Sequence, residues 1–210
     1  GKDILMTHAV YWPTMLMSAG IPLPKTIFAH GWWLIEKSKM SKSVGNVVDP
    51  MELIDEYGAD PVRYYLMREM VLGQDSNFTM ESFTKRYNSD LANDFGNLLS
   101  RVSRLIHKNF DGKMPEWGEP TSAGNEMKKL AEGTIEKVNK LIQNMRINEA
   151  IEETMQFIRS VNRYMEQQVP WKRVKEDKSA AGRVLITAAE AMRLGALLLQ
   201  PVMPNRTLIV

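Results

Sequence analysis

Between Glu36 and Pro50 the chain reads EKSKMSKSVGNVVDP. Lys37, Lys39 and Lys42 alternate with the hydroxyl side chains of Ser38, Ser41 and Ser43, with Met40 as the apolar residue among them. Ammonium groups this close repel one another and resist burial, so the segment suits water or a highly negative ligand. A polyphosphate fits it well. Lysine offers a compact cation on a flexible stem. Ser41, Ser43 and free backbone amides add hydrogen bonds to phosphate oxygens, and Gly45 permits a tight turn. Met40 can anchor such a loop in an apolar hole. A loop that closes only while phosphate charge is being redistributed stabilises the transition state rather than the ground state. A solvated surface loop has the same composition, so the residue types alone leave both readings open.

A second group of residues suits a different chemistry. Asn97 and Arg101 lie four apart in a periodic stretch, which puts both on one helix face. An amide with a donor and an acceptor, beside a multi-donor guanidinium, matches the edges of unstacked bases. Trp171 follows Pro170 at a helix break, where its ring can project as a stacking platform. Around it lie Arg159, Arg163, Lys172, Arg173, Lys175 and Lys178 against Glu166, Glu176 and Asp177, a locally basic surface. Taken singly, these residues also suit a solvated helix face and a tryptophan that closes a core.

The elements that must position these groups change character along the chain. Residues 8–18 suit a short helix, and Gly20, Pro22 and Pro24 end it. TIFAHGWWLI, residues 26–35, is aromatic and β-branched and reads as a buried strand leading into the lysine loop. Asp49-Pro50 and Asp60-Pro61 both look like helix starts, the first with Asp49 as cap and Pro50 at the first helical position. From about residue 79, Phe83, Tyr87, Leu91, Phe95, Leu98, Val102, Leu105 and Ile106 recur at three- and four-residue steps. This predicts one long amphipathic helix ending at Asp111-Gly112. Residues 113–124 read as a loop, followed by helices over about 126–144, 147–167 and 179–199. The predicted fold is mixed: an incomplete Rossmann-like α/β piece over residues 1–75, then a mostly α-helical bundle over 76–210.

Composition narrows the classes further. With 210 residues, 44% hydrophobic, 25% charged and a net charge of +2, the chain is an ordinary globular protein whose basic surfaces must be local. It has no cysteine, which excludes a disulfide scaffold, thiolate metal sites and cysteine nucleophiles. His8, His30 and His107 are not spaced as metal ligands, so no metal residue is assigned. No apolar run approaches the ~20 residues of a membrane span. No signal-peptide organisation is evident, which points to the cytoplasm.

KMSKS, residues 39–43, is identical to the second signature of class I aminoacyl-tRNA synthetases, where it follows a strand and handles the triphosphate of ATP. Together with KDILMTHAVYWP, FAHGWWLI, GADPVRYYLMRE, NSDLANDFGNLLSR and NRYMEQQVPW, it makes nearly the whole chain resemble the bacterial type of the methionyl-tRNA synthetase family. The resemblance implies activation of methionine by ATP to methionyl-adenylate, then transfer to the 3′-terminal adenosine of the methionine tRNA. It implies that Lys42 stabilises the leaving pyrophosphate, that Lys39 assists, and that Mg²⁺ shares the charge. Met40, Ser41 and Ser43 complete the ATP loop, with His30 near the adenylate.

Asp3, Ile4, His8 and Trp12 match the wall of the methionine and adenosine pocket. Asn97 and Arg101 in GNLLSR, and Trp171 in QVPW, match the anticodon readers. The implied partners are methionine, ATP and tRNA, with no DNA and no membrane. Ordinary alternatives stand beside these roles: a buried His8–Trp12 pair, a core His30, and Asp3 as a helix cap.

The chain departs from the family in one respect. The His-x-Gly-His signature that members use to bind ATP is absent. So are the strand–helix units that precede KDILM in the family and the zinc-bearing insert of many members. The expectation is therefore the C-terminal part of a catalytic domain plus the helical domain, unable to make adenylate alone. A non-enzymatic RNA-binding module with a vestigial lysine loop is the competing reading. A helical scaffold would leave KMSKS unexplained.

Overall fold

The computed structural model describes residues 1–35, the backbone of 38–39, and residues 48–210. It divides into two compact units. The first comprises residues 1–49 and 69–80, the second residues 50–68 and 81–210. The chain crosses between them more often than a single break near residue 76 would require. The helices over 50–57 and 59–68, expected to go with the α/β piece, pack instead with the bundle. Asp60 explains much of this. It is buried, and its carboxylate accepts hydrogen bonds from the backbone amides of Asn205 and Arg206 at 2.8 and 2.6 Å. Asp60 is thus a tertiary clamp on the far end of the chain rather than a helix cap. Arg63 adds hydrogen bonds to the carbonyls of Pro201 and Val202, both at 2.9 Å.

The first unit is small and open. A π-helical stretch, Thr7–Tyr11, leads into α1, Trp12–Ser18. Pro13 has no amide to give to a helix, and the widened turn lies just before it. The sheet consists of β1 (Trp33–Ile35), β2 (Ser38–Lys39) and β3 (Ser76–Phe78), in the order β2-β1-β3. β1 runs antiparallel to β2 and parallel to β3, with Leu34 opposite both Lys39 and Asn77. The strand expected over 26–35 is therefore three residues long and half-buried. Its parallel partner offers only residues 76–78, and just before them Asp75 uses its side chain, not its backbone, to meet Trp32. Gly31 marks the crossing of two backbones: a Cβ there would lie 2.1 Å from the carbonyl oxygen of Gln74. Among the described residues of this unit, only Gly31 and Phe78 are buried.

The second unit is a helical bundle with a continuous core. It contains α2 (Pro50–Tyr57) and α3 (Ala59–Glu69, of which residues 59–68 belong to the bundle), separated by Gly58 in the left-handed region. Next comes one uninterrupted helical run: α4 (Met80–Arg86, in the bundle from Glu81), a π-helical stretch (Tyr87–Gly96) and α5 (Asn97–Phe110). The expected long helix is present, with a π segment inside it. Asp111 and Gly112, both at positive φ, end it.

α6 (Ser122–Gln143), α7 (Ile147–Gln168), the short α8 (Pro170–Arg173) and α9 (Lys178–Leu199) follow. α6 starts earlier than expected because the Thr121 hydroxyl caps it, accepting from the amide of Gly124 at 3.0 Å. Asp177 caps α9 in the same way through the amide of Ala180. Leu98, Val102, Met155, Ile158, Val161, Met165, Leu185 and Leu199 fill the core at or near zero exposure. α9 approaches α7 closely at Gly195, where a Cβ would lie 3.0 Å from Ile158 Cγ1.

Candidate functional site

The clearest constellation lies on the bundle. α5 presents Asn97 at its first turn, exposed, and Arg101 one turn later, partly exposed. Some seventy residues on, α7 ends at Val169, whose φ of 41° is strained for a β-branched residue. That left-handed turn carries Pro170 to the first position of α8 and aims Trp171 back toward α5. Arg173 braces it by donating from Nε to the carbonyl of Gln168 at 2.7 Å. The Arg101 guanidinium then lies over the Trp171 ring, 5.3 Å from its centre, and pairs with Glu166 at 3.7 Å. Arg101 and Trp171 are thus brought together, and Asn97 shares Arg101's helix face.

Behind this face the π-helical stretch is locked by charge. Asp90 is buried and accepts from the Tyr64 hydroxyl at 2.7 Å and from the Ser89 hydroxyl at 2.9 Å. Arg159 spans Asp94 at 2.7 Å, Glu152 at 3.0 Å and Asp90 at 3.4 Å, while Arg68 also pairs with Glu152. Asn162 donates to the Asp94 carbonyl at 2.8 Å. Burial, then the Asp90 charge, push the Tyr64 hydroxyl up strongly. Burial opposes ionisation of Glu152, but the hydrogen bond from Gln156 and the charges of Arg68 and Arg159 outweigh it and hold that carboxyl low.

Arg159 therefore does not belong to the basic surface around Trp171, where the sequence reading had put it. Its guanidinium is spent on three carboxylates. Asp90 and Asp94 escaped that reading. The signal for them was faint: two acids four apart, interrupting an otherwise apolar repeat.

The first unit carries the small-molecule candidates. Asp3 accepts from the indole of Trp32 at 2.5 Å, and the short 3₁₀ turn at Lys2–Ile4 has no side-chain cap, so Asp3 is not serving as one. His8 Nδ1 lies 3.0 Å from the Ile4 carbonyl, and its ring meets Trp12 edge-on at 6.5 Å. Both rings are exposed, as is Ile4, so His8 and Trp12 are not the buried pair that was their ordinary alternative. His30 is partly buried outside any strand, with Nδ1 2.7 Å from the Gly31 carbonyl oxygen. Lys2, which the sequence reading passed over, forms an ion pair with Asp75 at 2.6 Å and lies 4.1 Å from the centre of the Trp32 ring. The Lys2 hydrogen bond, then the Trp32 amide, hold the Asp75 carboxyl below its ordinary value. Lys39 lies on β2. Met40, Ser41, Lys42 and Ser43 fall outside the described residues.

Residues 1–103 match the family described as tRNA synthetases class I (M). Residues 114–209 match the anticodon binding domain of methionyl tRNA ligase. Such a segment and such a bundle in one chain are those of a class I aminoacyl-tRNA synthetase. Relatives narrow the class. A methionine–tRNA ligase of Clostridium acetobutylicum is 44% identical over 98% of this chain, and one of Mycobacterium leprae is 46% identical over 98%. A solved structure of Mycobacterium tuberculosis methionyl-tRNA synthetase in complex with methionyl-adenylate superposes with a TM-score of 0.93 at 42% identity, covering 99% of this chain. The chain belongs to the methionyl-tRNA synthetase family. It spans 32% and 39% of the two ligases and 42% of the solved chain.

Proposed function

We propose that this chain supplies the ATP loop and the anticodon-reading bundle of a cytoplasmic methionine–tRNA ligase. The observation that carries the reading is the Arg101–Trp171 pair, which joins a residue at the end of the class I synthetase match to one inside the anticodon-binding match. A cation held over a partly exposed indole ring, with an amide on the same helix face, suits a single strand whose bases are splayed and stacked. Asn97 and Arg101 offer hydrogen bonds to base edges, and Trp171 offers the stacking surface.

In the activation step the methionine carboxylate attacks the α-phosphate of ATP, and the α–β phosphoanhydride bond breaks as pyrophosphate leaves. Lys42 and Lys39 neutralise the charge gathering on that pyrophosphate, with Met40, Ser41 and Ser43 completing the ATP-binding set. His30, Asp3, Ile4, His8 and Trp12 form the wall for methionine and adenosine. The Trp32 hydrogen bond fixes Asp3, and the Ile4 carbonyl fixes the His8 ring. Among the described residues no cluster of three carboxylate or imidazole groups is placed to hold a metal ion. Mg²⁺ carried by the triphosphate would add to the charge neutralisation there. The relative's bound methionyl-adenylate supports this pocket chemistry.

The test is ATP–pyrophosphate exchange by a ligase of its relatives' full length that carries this sequence. Methionine-dependent exchange, with methionine then transferred to its tRNA, is the expected result. tRNA binding with no exchange would favour the non-enzymatic RNA-binding module instead. The 210 residues alone, lacking a His-x-Gly-His signature, are expected to show only background exchange.

A further inference from the structure

The far end of α5 carries cations that anticodon reading leaves unused. At about 100° per residue, Asn97, Arg101, Arg104 and Lys108 fall in one sector of about 60°, and the row is roughly 16 Å long. Leu98, Val102 and Ile106, on the other side of the helix, are buried. Several arginines elsewhere in the bundle are engaged: Arg63 on carbonyls, Arg68 and Arg159 on Glu152, Arg146 on Glu149, Arg193 on Glu190. Arg104 and Lys108 are exposed and have no hydrogen-bond or ionic partner among the described residues. They line an open groove of about 750 Å³ together with His107, Gly112 and Met114. Glu166 faces Arg101, at the other end of the row.

We propose that Arg104 and Lys108 form a phosphate track. It holds the backbone of the RNA strand that continues past the bases met at Arg101 and Trp171. Two unpaired cations one turn apart match successive phosphates and fix the strand's register without reading its sequence. The continuity of the row with a stacking tryptophan is what selects RNA over an acidic peptide, which has no bases to stack. The inference rests on the anticodon reading above.

The test is the 210-residue chain with Arg104→Gln and Lys108→Gln, titrated with methionine tRNA and with the same tRNA bearing a swapped anticodon, over a series of salt concentrations. Each phosphate contact contributes a slope of about −0.7 to −0.9 in log K against log salt, so the double variant should lose about 1.4 to 1.8 of slope. Both tRNAs should weaken alike, and the preference for the cognate anticodon should persist. Each single variant should lose about half as much slope, which guards against a folding defect in the double. An unchanged slope with an intact wild-type preference overturns the track alone. No wild-type preference between the two tRNAs overturns the anticodon reading beneath it. Competition by polyglutamate as effective as that by tRNA overturns the assignment to RNA.

Discussion

The two units solve the problem of placing functional groups in opposite ways. The bundle completes its own core: twenty-two buried residues join in one cluster, and the Arg101–Trp171 pair stands on helices that this core fixes. Among its described residues the first unit buries almost nothing. Met15 and Met17 are 69% and 67% exposed, and Ile4, Met6 and Tyr11 are exposed as well. Its order comes from polar clasps between segments, Lys2 to Asp75 and Asp3 to Trp32. Core packing fits the proposed recognition face, which has to keep one shape, and surface clasps fit the proposed pocket wall.

If this contrast is right, the largest effect should come from the bundle's buried acid. Asp90→Ala strands the buried Tyr64 hydroxyl and takes one partner each from Ser89, Arg86 and Arg159, and removing one partner of a buried charge pair costs about 3–5 kcal/mol. For a chain of this size that corresponds to a drop of roughly 6–20 °C in Tm, read by thermal circular dichroism. The matching change in the first unit, Asp75→Ala, should leave the helical melt almost untouched. Equal drops would break the comparison.

Next in size is Lys42→Ala in a ligase of full length. Losing a charge contact made in the transition state is worth about 2.7–4 kcal/mol, or 10²–10³ in rate. Rapid-quench measurement of adenylate formation should show that fall with ATP affinity little changed, and with the bundle's Tm unaltered. A normal maximal rate would remove Lys42 from the chemistry.

The smallest effect is electrostatic. Glu152 has its carboxyl held below the ordinary glutamate value of 4.5. A depressed folded pKa stabilises the protein above the unfolded value and loses that contribution as pH falls through the folded one. Bundle stability should therefore be flat from neutral pH to about pH 5 and decline below about pH 4. Glu152→Gln should flatten that decline in a denaturation series. A variant with the wild-type pH profile would mean that the Arg68–Glu152–Arg159 cluster is not what depresses the carboxyl.

What the sequence revealed followed from how local the physics was. The periodic run from Phe83 to Ile106, the stop at Asp111-Gly112 and the break at Pro170 are signals written within a few residues, and all are present in the fold. The strand over 26–35 was overestimated, because its length is set by residues 76–78, some forty positions away. Asp60 looked like a cap for the same reason: its true partners, Asn205 and Arg206, lie at the other end of the chain. The assignment of Arg159 to a basic surface failed because Asp90, Asp94 and Glu152 converge on it only after the helices pack. Trp171 was legible from its Pro170 neighbour, but its cation partner needed the fold.

The most direct test of the account is Trp171→Ala in a ligase of full length, assayed for exchange and for aminoacylation side by side. Losing one stacked base costs about 1–3 kcal/mol. Aminoacylation efficiency should therefore fall about 5- to 150-fold, while methionine-dependent ATP–pyrophosphate exchange stays near the parent rate. Undiminished aminoacylation would contradict the claim that this face reads the anticodon.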